Sequence, residues 1–257
     1  MKRFAVSVCV LAGLAVSAMA TPSVNSAKLN TRLFNDSPGS TLVTVNNYPA
    51  LVGISDTNLN PSTFANRHNF RFSSDGGATN TLFANGDAFS FSANVTLSGS
   101  GNGEGGLQLS PWFSQNVDGA FNLRTTDGEV AVFGGRLPFY SFTGQQGVVY
   151  AKGTTVSVGI EYDPRSLNAG DPGRVRYSYN NLTSGWINFD QANPAEDPPY
   201  GLWGILNQAT AGGYLQAFGS TGTGTINATF ENIVYVPAPG AAALMGLGGL
   251  LAARRRR

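Results

Sequence analysis

One cysteine and one histidine stand in 257 residues, and only 12% of the side chains are charged. The cysteine, Cys9, falls inside an apolar stretch near the N-terminus, residues 4–16, without the Leu-Ala-Gly-type residues that a bacterial lipobox places before its cysteine. The rest of the chain therefore has no disulfide framework, thiolate metal site or cysteine nucleophile. With His68 alone, a two-histidine metal site is excluded, and any Ser-His-Asp arrangement would have to use that one imidazole. His68 follows the polar residues 58–66, where a solvated or hydrogen-bonding histidine is the expectation. No apolar run reaches the ~20 residues that span a bilayer as a helix. No amphipathic helix of ordinary length can be traced between the two ends. The Gly-rich residues 98–106 are followed by neither a lysine nor a helix, so they are not a phosphate loop.

What the chain does have is a marked signal at each end. Met1-Lys2-Arg3 is basic, residues 4–16 are apolar, and Ala18-Met19-Ala20 is a small-residue cleavage site. Together they predict a secretory signal peptide over residues 1–20 and a mature start at Thr21. At the other end Val236-Pro237-Ala238-Pro239 leads into an uncharged stretch, residues 240–253, that stops at Arg254-Arg255-Arg256-Arg257. Pro239 suits a helix start, and the arginines complement the C-terminal end of the helix dipole and favour the cytoplasmic side. About fifteen residues at about 1.5 Å each reach only ~22 Å, against a hydrocarbon core of ~30 Å. A transmembrane segment over residues 240–253 would need snorkelling arginines, local thinning, or residues drawn from 233–236.

This succession of proline motif, short apolar segment and arginine cluster resembles the PEP-CTERM sorting signal of Gram-negative bacteria. Val236, Pro237 and Pro239 match it, and Ala238 stands where that family has glutamate. The resemblance covers residues 236–257. It implies cleavage by an exosortase-type membrane transpeptidase, transient residence in the inner membrane, and delivery to the cell surface or the extracellular matrix. A plain single-pass tail anchor is the other reading of the same residues. Without its two ends the body keeps ten basic against fifteen acidic residues, with no basic stripe, so nucleic-acid binding has nothing to rest on.

Between the ends, short runs with β-branched and aromatic residues alternate with turn chemistry. Leu42-Val43-Thr44-Val45, Phe70-Arg71-Phe72, residues 89–97, Leu107-Gln108-Leu109, Phe121-Asn122-Leu123, Val130-Ala131-Val132-Phe133, residues 154–162 and 174–179, Trp186-Ile187-Asn188-Phe189, residues 202–206, 214–218 and 225–235 read as strands. Asp75-Gly76-Gly77, Asn85-Gly86-Asp87, Asp118-Gly119, Asp127-Gly128 and residues 168–173 read as their turns. The polar residues 21–40 suit either an ordered lead-in strand or a loose arm. A dozen or so strands without a fixed repeat predict an all-β, two-sheet antiparallel jelly-roll sandwich over residues 21–235. Residues 156–162, 174–179 and 228–235 give the body a resemblance to the concanavalin A-like lectin/glucanase superfamily.

That resemblance implies a test for paired carboxylates. Laminarinase-type members use Glu-x-Asp-x-x-Glu; here Glu161-Tyr162-Asp163 supplies the first two, but Pro164 follows and Ser166 stands where the last glutamate belongs. A strand-end charged pair beside a turn proline is the expectation. Asn168 and Asp171 in a turn-rich loop offer hard oxygen donors for Ca²⁺, though no spacing is that of an EF-hand and such residues are ordinarily turn formers. Tyr200 and Trp203, with Asp197 beside them, could stack on and hydrogen-bond a sugar; equally, Trp203 and Trp186 could be core residues of their strands. The sequence therefore leads to a non-enzymatic exported protein, structural or adhesive, with extracellular polysaccharide as a further partner. The competing reading is a glycan-active enzyme, a hydrolase or lyase, on the same fold. Its touchstone is the placement of Glu104, Glu129 and Glu161.

Overall fold

The structure is a computed structural model that describes residues 21–58, 62–190, 203–219 and 224–238. The leader expected at 1–20, Pro239, the apolar segment at 240–253, Arg254 to Arg257, Asp197 and Tyr200 lie outside the described residues. In chain order the strands are β1 (Ser26–Asn35), β2 (Thr41–Asn47), β3 (Leu51–Asn58), β4 (Ala65–Ser73), β5 (Phe89–Ser98), β6 (Gly103–Ser110) and β7 (Ala120–Arg124). They continue with β8 (Val130–Phe133), β9 (Tyr140–Ser141), β10 (Thr155–Asp163), β11 (Arg174–Tyr179), β12 (Leu182–Asn188), β13 (Thr210–Phe218) and β14 (Gly224–Pro237). One short helix, α1 (Phe142–Gln146), and one 3-10 turn, Trp112–Ser114, interrupt them. No helix among the described residues is long and apolar enough to cross a membrane.

The strands form two antiparallel seven-stranded sheets, the predicted jelly-roll sandwich. Sheet A runs β1-β4-β13-β6-β7-β8-β9 and sheet B runs β12-β11-β10-β5-β14-β3-β2. Alternation makes the core. In β5 the apolar Phe89, Phe91, Ala93, Val95 and Leu97 point inward while Ser90, Ser92, Asn94 and Thr96 point out. From sheet A, Phe70, Phe72, Leu107, Leu109, Phe121 and Leu123 face them. Edge-to-face pairs such as Phe70–Phe230 at 5.1 Å and Phe72–Phe91 at 5.4 Å lock the two layers together.

Residues 21–40 resolve into the edge strand β1, paired with β4. At the far end β14 continues through Val236, opposite Ser90, and Pro237, opposite Phe89, beyond the expected end of the sandwich at 235. The next residue, Ala238, still donates its N–H to Ala88 O at 2.8 Å. The first part of the Val-Pro-Ala-Pro motif is thus part of sheet B.

Sheet A departs from the one-face-buried pattern. Both faces of β4 and most of β13 are buried, including the outward-pointing polar residues. The reason is the connection between β6 and β7, residues 112–118, which folds back over the sheet.

Candidate functional site

On β4, Arg67, Asn69 and Arg71 alternate with His68, Phe70 and Phe72, so the first three share the outer face of sheet A. Register extends this face across the neighbouring strands. Arg67 stands beside Gln216 of β13, which stands beside Glu104 of β6 and then Arg124 of β7. One row along, at about 6.8 Å, come Asn30, Asn69, Tyr214, Gly106 and Asn122. The next row is Lys28, Arg71, Gly212 and Gln108. Tyr214 occupies the centre. The phenol reaches over β6 and donates to Asn122 Oδ1 at 3.1 Å. The Arg67 guanidinium lies 4.3 Å from the centroid of the Tyr214 ring and donates to Gln216 Oε1 at 2.7 Å.

The two arginines are the unusual feature. Arg67 is 5% exposed and Arg71 fully buried; among the described residues neither forms an ion pair with a carboxylate, although the charges of Glu104 and Asp118 act on Arg67. Burial lowers the pKa of Arg71 to about 9, and the neighbouring charge of Arg67 adds to that. Four polar atoms of this face, Arg67 Nε, Arg71 Nη1, Gln108 Oε1 and Asn122 Nδ2, are buried without a hydrogen-bond partner. Taking an ion out of water costs several kcal/mol even after relaxation, and a buried orphaned donor or acceptor about 1–3 kcal/mol more. A fold does not concentrate such costs on one face for packing alone.

What covers the face is main chain. Gln115 O accepts from Arg71 Nη2 at 2.6 Å, Arg71 Nε at 3.1 Å and Thr210 Oγ1 at 2.8 Å. Asn116 O accepts from Asn69 Nδ2 at 2.9 Å, and Val117 O from Arg67 Nη2 at 2.5 Å and Gln108 Nε2 at 3.0 Å. Asp118 O accepts from Ser110 Oγ.

Glu161 is placed elsewhere. Glu161 and Asp163 lie on the outer face of sheet B, where they pair with Arg176 and with Arg174 (2.9 Å), and Trp186 stacks on both arginines at 4.8 and 4.3 Å. The groove of about 350 Å³ beside them is lined by Ser90, Ser92, Glu161, Arg176 and Ser178. Glu129 pairs with Arg124, which stands beside Glu104 on the outer face of sheet A, and burial pushes the Glu104 carboxyl up against the pull of Arg67 and Arg124. Glu161 therefore cannot join Glu104 or Glu129 in an acid–nucleophile pair, since it sits on the other sheet.

His68 is not in a loop. It is a core residue of β4 whose Nδ1 accepts from Arg32 N–H at 3.0 Å, which leaves the proton on Nε2, 3.0 Å from Asp56 Oδ2. Burial raises the Asp56 pKa, but hydrogen bonds from His68, Ser40 and Asn66 outweigh it and hold the carboxyl below its usual value. Both side chains are inaccessible, so this pair is structural. Asp171 is bound by Arg165 at 2.7 Å and Ser166 Oγ at 2.6 Å, and Asn168 Oδ1 accepts from Gly170 and Asp171 N–H groups, closing a turn. Among the described residues no group of three or more His, Cys, Asp or Glu is set to hold a metal. Trp203 is half-buried, and its carbonyl accepts from Gly173 N–H at 2.8 Å.

Sequence reasoning passed over Arg67, Asn69, Arg71, Gln108, Tyr214 and Gln216 as a site. The available signal was phase: Arg67, Asn69 and Arg71 alternate with His68, Phe70 and Phe72, and Tyr214 and Gln216 share a parity on β13.

No protein-family model and no curated sequence matches the chain. Solved structures do. An alginate lyase of polysaccharide lyase family 7 aligns at 13% identity over 83% of this chain and 95% of that one, with a TM-score of 0.47. The alginate lyase from Corynebacterium sp. aligns at 10% identity over 82% of this chain and 93% of that one, TM-score 0.43. The metal-free carbohydrate recognition domain of Emp46p aligns at 10% identity over 80% and 88%, TM-score 0.40. These neighbours are polysaccharide lyases and a carbohydrate-binding domain. The expectation of a non-enzymatic body is corrected to this extent: alginate lyases are among the structures the chain resembles, at 10–13% identity.

Proposed function

We propose that the outer face of sheet A binds an acidic polysaccharide and cleaves it by β-elimination. The observation that carries this is the pair of buried arginines, neither ion-paired to a carboxylate among the described residues, set among orphaned polar atoms. Such a face is completed by an anion that brings its own hydroxyls, which describes a uronate. The alginate lyases named above are in keeping with that substrate class. Elimination also suits the residues better than hydrolysis, which needs two free carboxylates flanking the bond.

In the proposed step, Arg71, Arg67 and Gln108 take the uronate carboxylate and draw off charge as it builds up. The C5 proton leaves to a base, its electron pair forms the C4=C5 double bond, the C4–O bond breaks, and a proton is delivered to the departing oxygen. Tyr214 is the proton-transfer group, since His68 faces the interior and Tyr214 stands at the centre of the face.

A binding titration tests the anion requirement. An oligouronate should bind at least about tenfold more tightly than its carboxyl-reduced counterpart, with an affinity that falls as salt is raised. Equal affinity for the two, or binding of neither, contradicts the reading.

Export belongs to the same proposal. The chain would be secreted through residues 1–20, sorted by the tail at 236–257 and released by an exosortase-type enzyme to the cell surface or matrix, where polysaccharide is met. Since Val236 and Pro237 are paired into β14, processing is expected beyond Ala238. The intact mass of the mature protein from surface and medium fractions checks this: a species ending after Ala238 is expected, and one retaining Arg257 in the membrane contradicts it.

A further inference from the structure

An open sheet ends in strands whose outer N–H and C=O groups have no strand beside them, and native sheets blunt such edges with bulges, charges, prolines or sheer shortness. Among the described residues the edges are β1 and β9 in sheet A and β12 and β2 in sheet B. Three of them are blunted. β1 loses register between Asn30 and Phe34, where Arg32 stands at φ +56°, β9 has two residues, and β12 shifts register opposite Arg176 and Ser178, with Gly185 at φ +71°. β2 has none of these devices. Its seven residues, Thr41-Leu42-Val43-Thr44-Val45-Asn46-Asn47, pair with β3 in unbroken register and include no charge, proline or glycine.

The side chains of this edge are as open as its backbone. Val43 and Val45 share the outer face of sheet B and are 57% and 40% exposed. Beside them on β3 stand Ser55 and Gly53, flanked by Thr57 and Leu51, so the outer face of the two strands carries no charge. The order of residues in β2 fits one occupant in particular. The two valines are placed symmetrically about Thr44, so a second β2 laid antiparallel, with Thr44 opposite its own counterpart, sets Val43 against Val45 of the other copy on both sides of the axis. A two-fold interface demands just such self-complementarity, and with no charge on β2 the copies do not repel at the seam.

We propose that β2 is the seam of a two-fold symmetric dimer, in which the seven-stranded sheets B of two copies join edge to edge into one continuous antiparallel sheet. This goes beyond the glycan reading and does not depend on it. A seam one strand long is at the small end of protein interfaces, so the dimer forms and dissociates with protein concentration.

Cross-linking tests the axis itself. Cys9 is the one cysteine of the sequence, so the full chain carrying Cys9→Ser and Thr44→Cys has a single thiol, placed where the two-fold axis is expected. Directly opposed residues of antiparallel strands have Cα atoms about 4.5–5.5 Å apart, within reach of a disulfide. Under mild oxidation this chain should form a covalent dimer at least about tenfold faster than one carrying Cys9→Ser and Thr155→Cys, whose exposed thiols on β10 meet only by collision. In sedimentation, the mass of the unaltered chain should rise with concentration towards that of two copies. Val43→Lys together with Val45→Lys, both at exposed positions, should hold it at one copy with an unchanged Tm. Cross-linking of Thr44→Cys no faster than of Thr155→Cys, or self-association that the lysine variant leaves unchanged, overturns the seam.

Discussion

Tyr214→Phe is expected to lower polyuronate cleavage about 10²–10⁴-fold while changing KM little. The ring, its stacking with Arg67 and the carboxylate-binding groups all remain in the variant; only the hydroxyl that moves a proton is lost. Asn122 Oδ1 loses its donor, which should cost about 1–3 kcal/mol of stability and leave the fold intact. The pH profile separates this role from a merely structural one. Burial raises the phenol pKa, which moves its titration further up, so the fraction able to accept a proton grows only at the alkaline end, where wild-type rates should climb. The variant's residual rate should lack that rise. A Tyr214→Phe enzyme that keeps wild-type kcat would place the base elsewhere on the face.

Asp56→Ala should be the most damaging single change away from that face. It strips a carboxylate from between His68, Asn66 and Ser40, all buried, leaving their donors unanswered in the core. Breaking a buried charged, hydrogen-bonded pair costs about 3–5 kcal/mol, which for a domain of this size lowers Tm by about 6–20 °C. The pH dependence follows from the lowered folded-state pKa of Asp56. Its contribution is complete above the unfolded carboxylate value and is lost as pH falls through the lower folded value. Thermal melts of wild type should therefore steepen in acid, and those of Asp56→Ala should lack this component. A loss below about 1 kcal/mol would show that the cluster is not the anchor of β3 to β4 that its geometry implies.

Much of the sandwich was legible because alternation records which face a strand buries. Residues 89–97 and 156–162 carry that pattern plainly. The outer face of sheet A was not, for a physical reason. Its polar residues are buried by a segment distant in the fold's logic though near in sequence, and no local pattern announces a main-chain cover. Arg67-His68-Asn69 follows a polar stretch and has no apolar alternation of its own; it is a strand because one face meets Asp56 and the other meets residues 115–118. The lone histidine, expected to be solvated or hydrogen-bonding, is hydrogen-bonded at both ring nitrogens in the core. Glu161 and Asp163 drew attention as a catalytic pair, and their ion pairs with Arg176 and Arg174 fit the expected strand-end charges. Glycine at 106 is required by the backbone, since at φ +151° a Cβ there would meet Phe121 O at 2.0 Å.

The most direct test of the central claim is the identity of the product. The purified chain is incubated with homopolymeric uronates, and the mixture is followed by ultraviolet absorbance and mass spectrometry. The account predicts rising absorbance from a C4=C5 double bond conjugated to the carboxylate, and fragments lacking the water that hydrolysis would add. Saturated fragments, or uronate polymers that bind and stay intact, would contradict it.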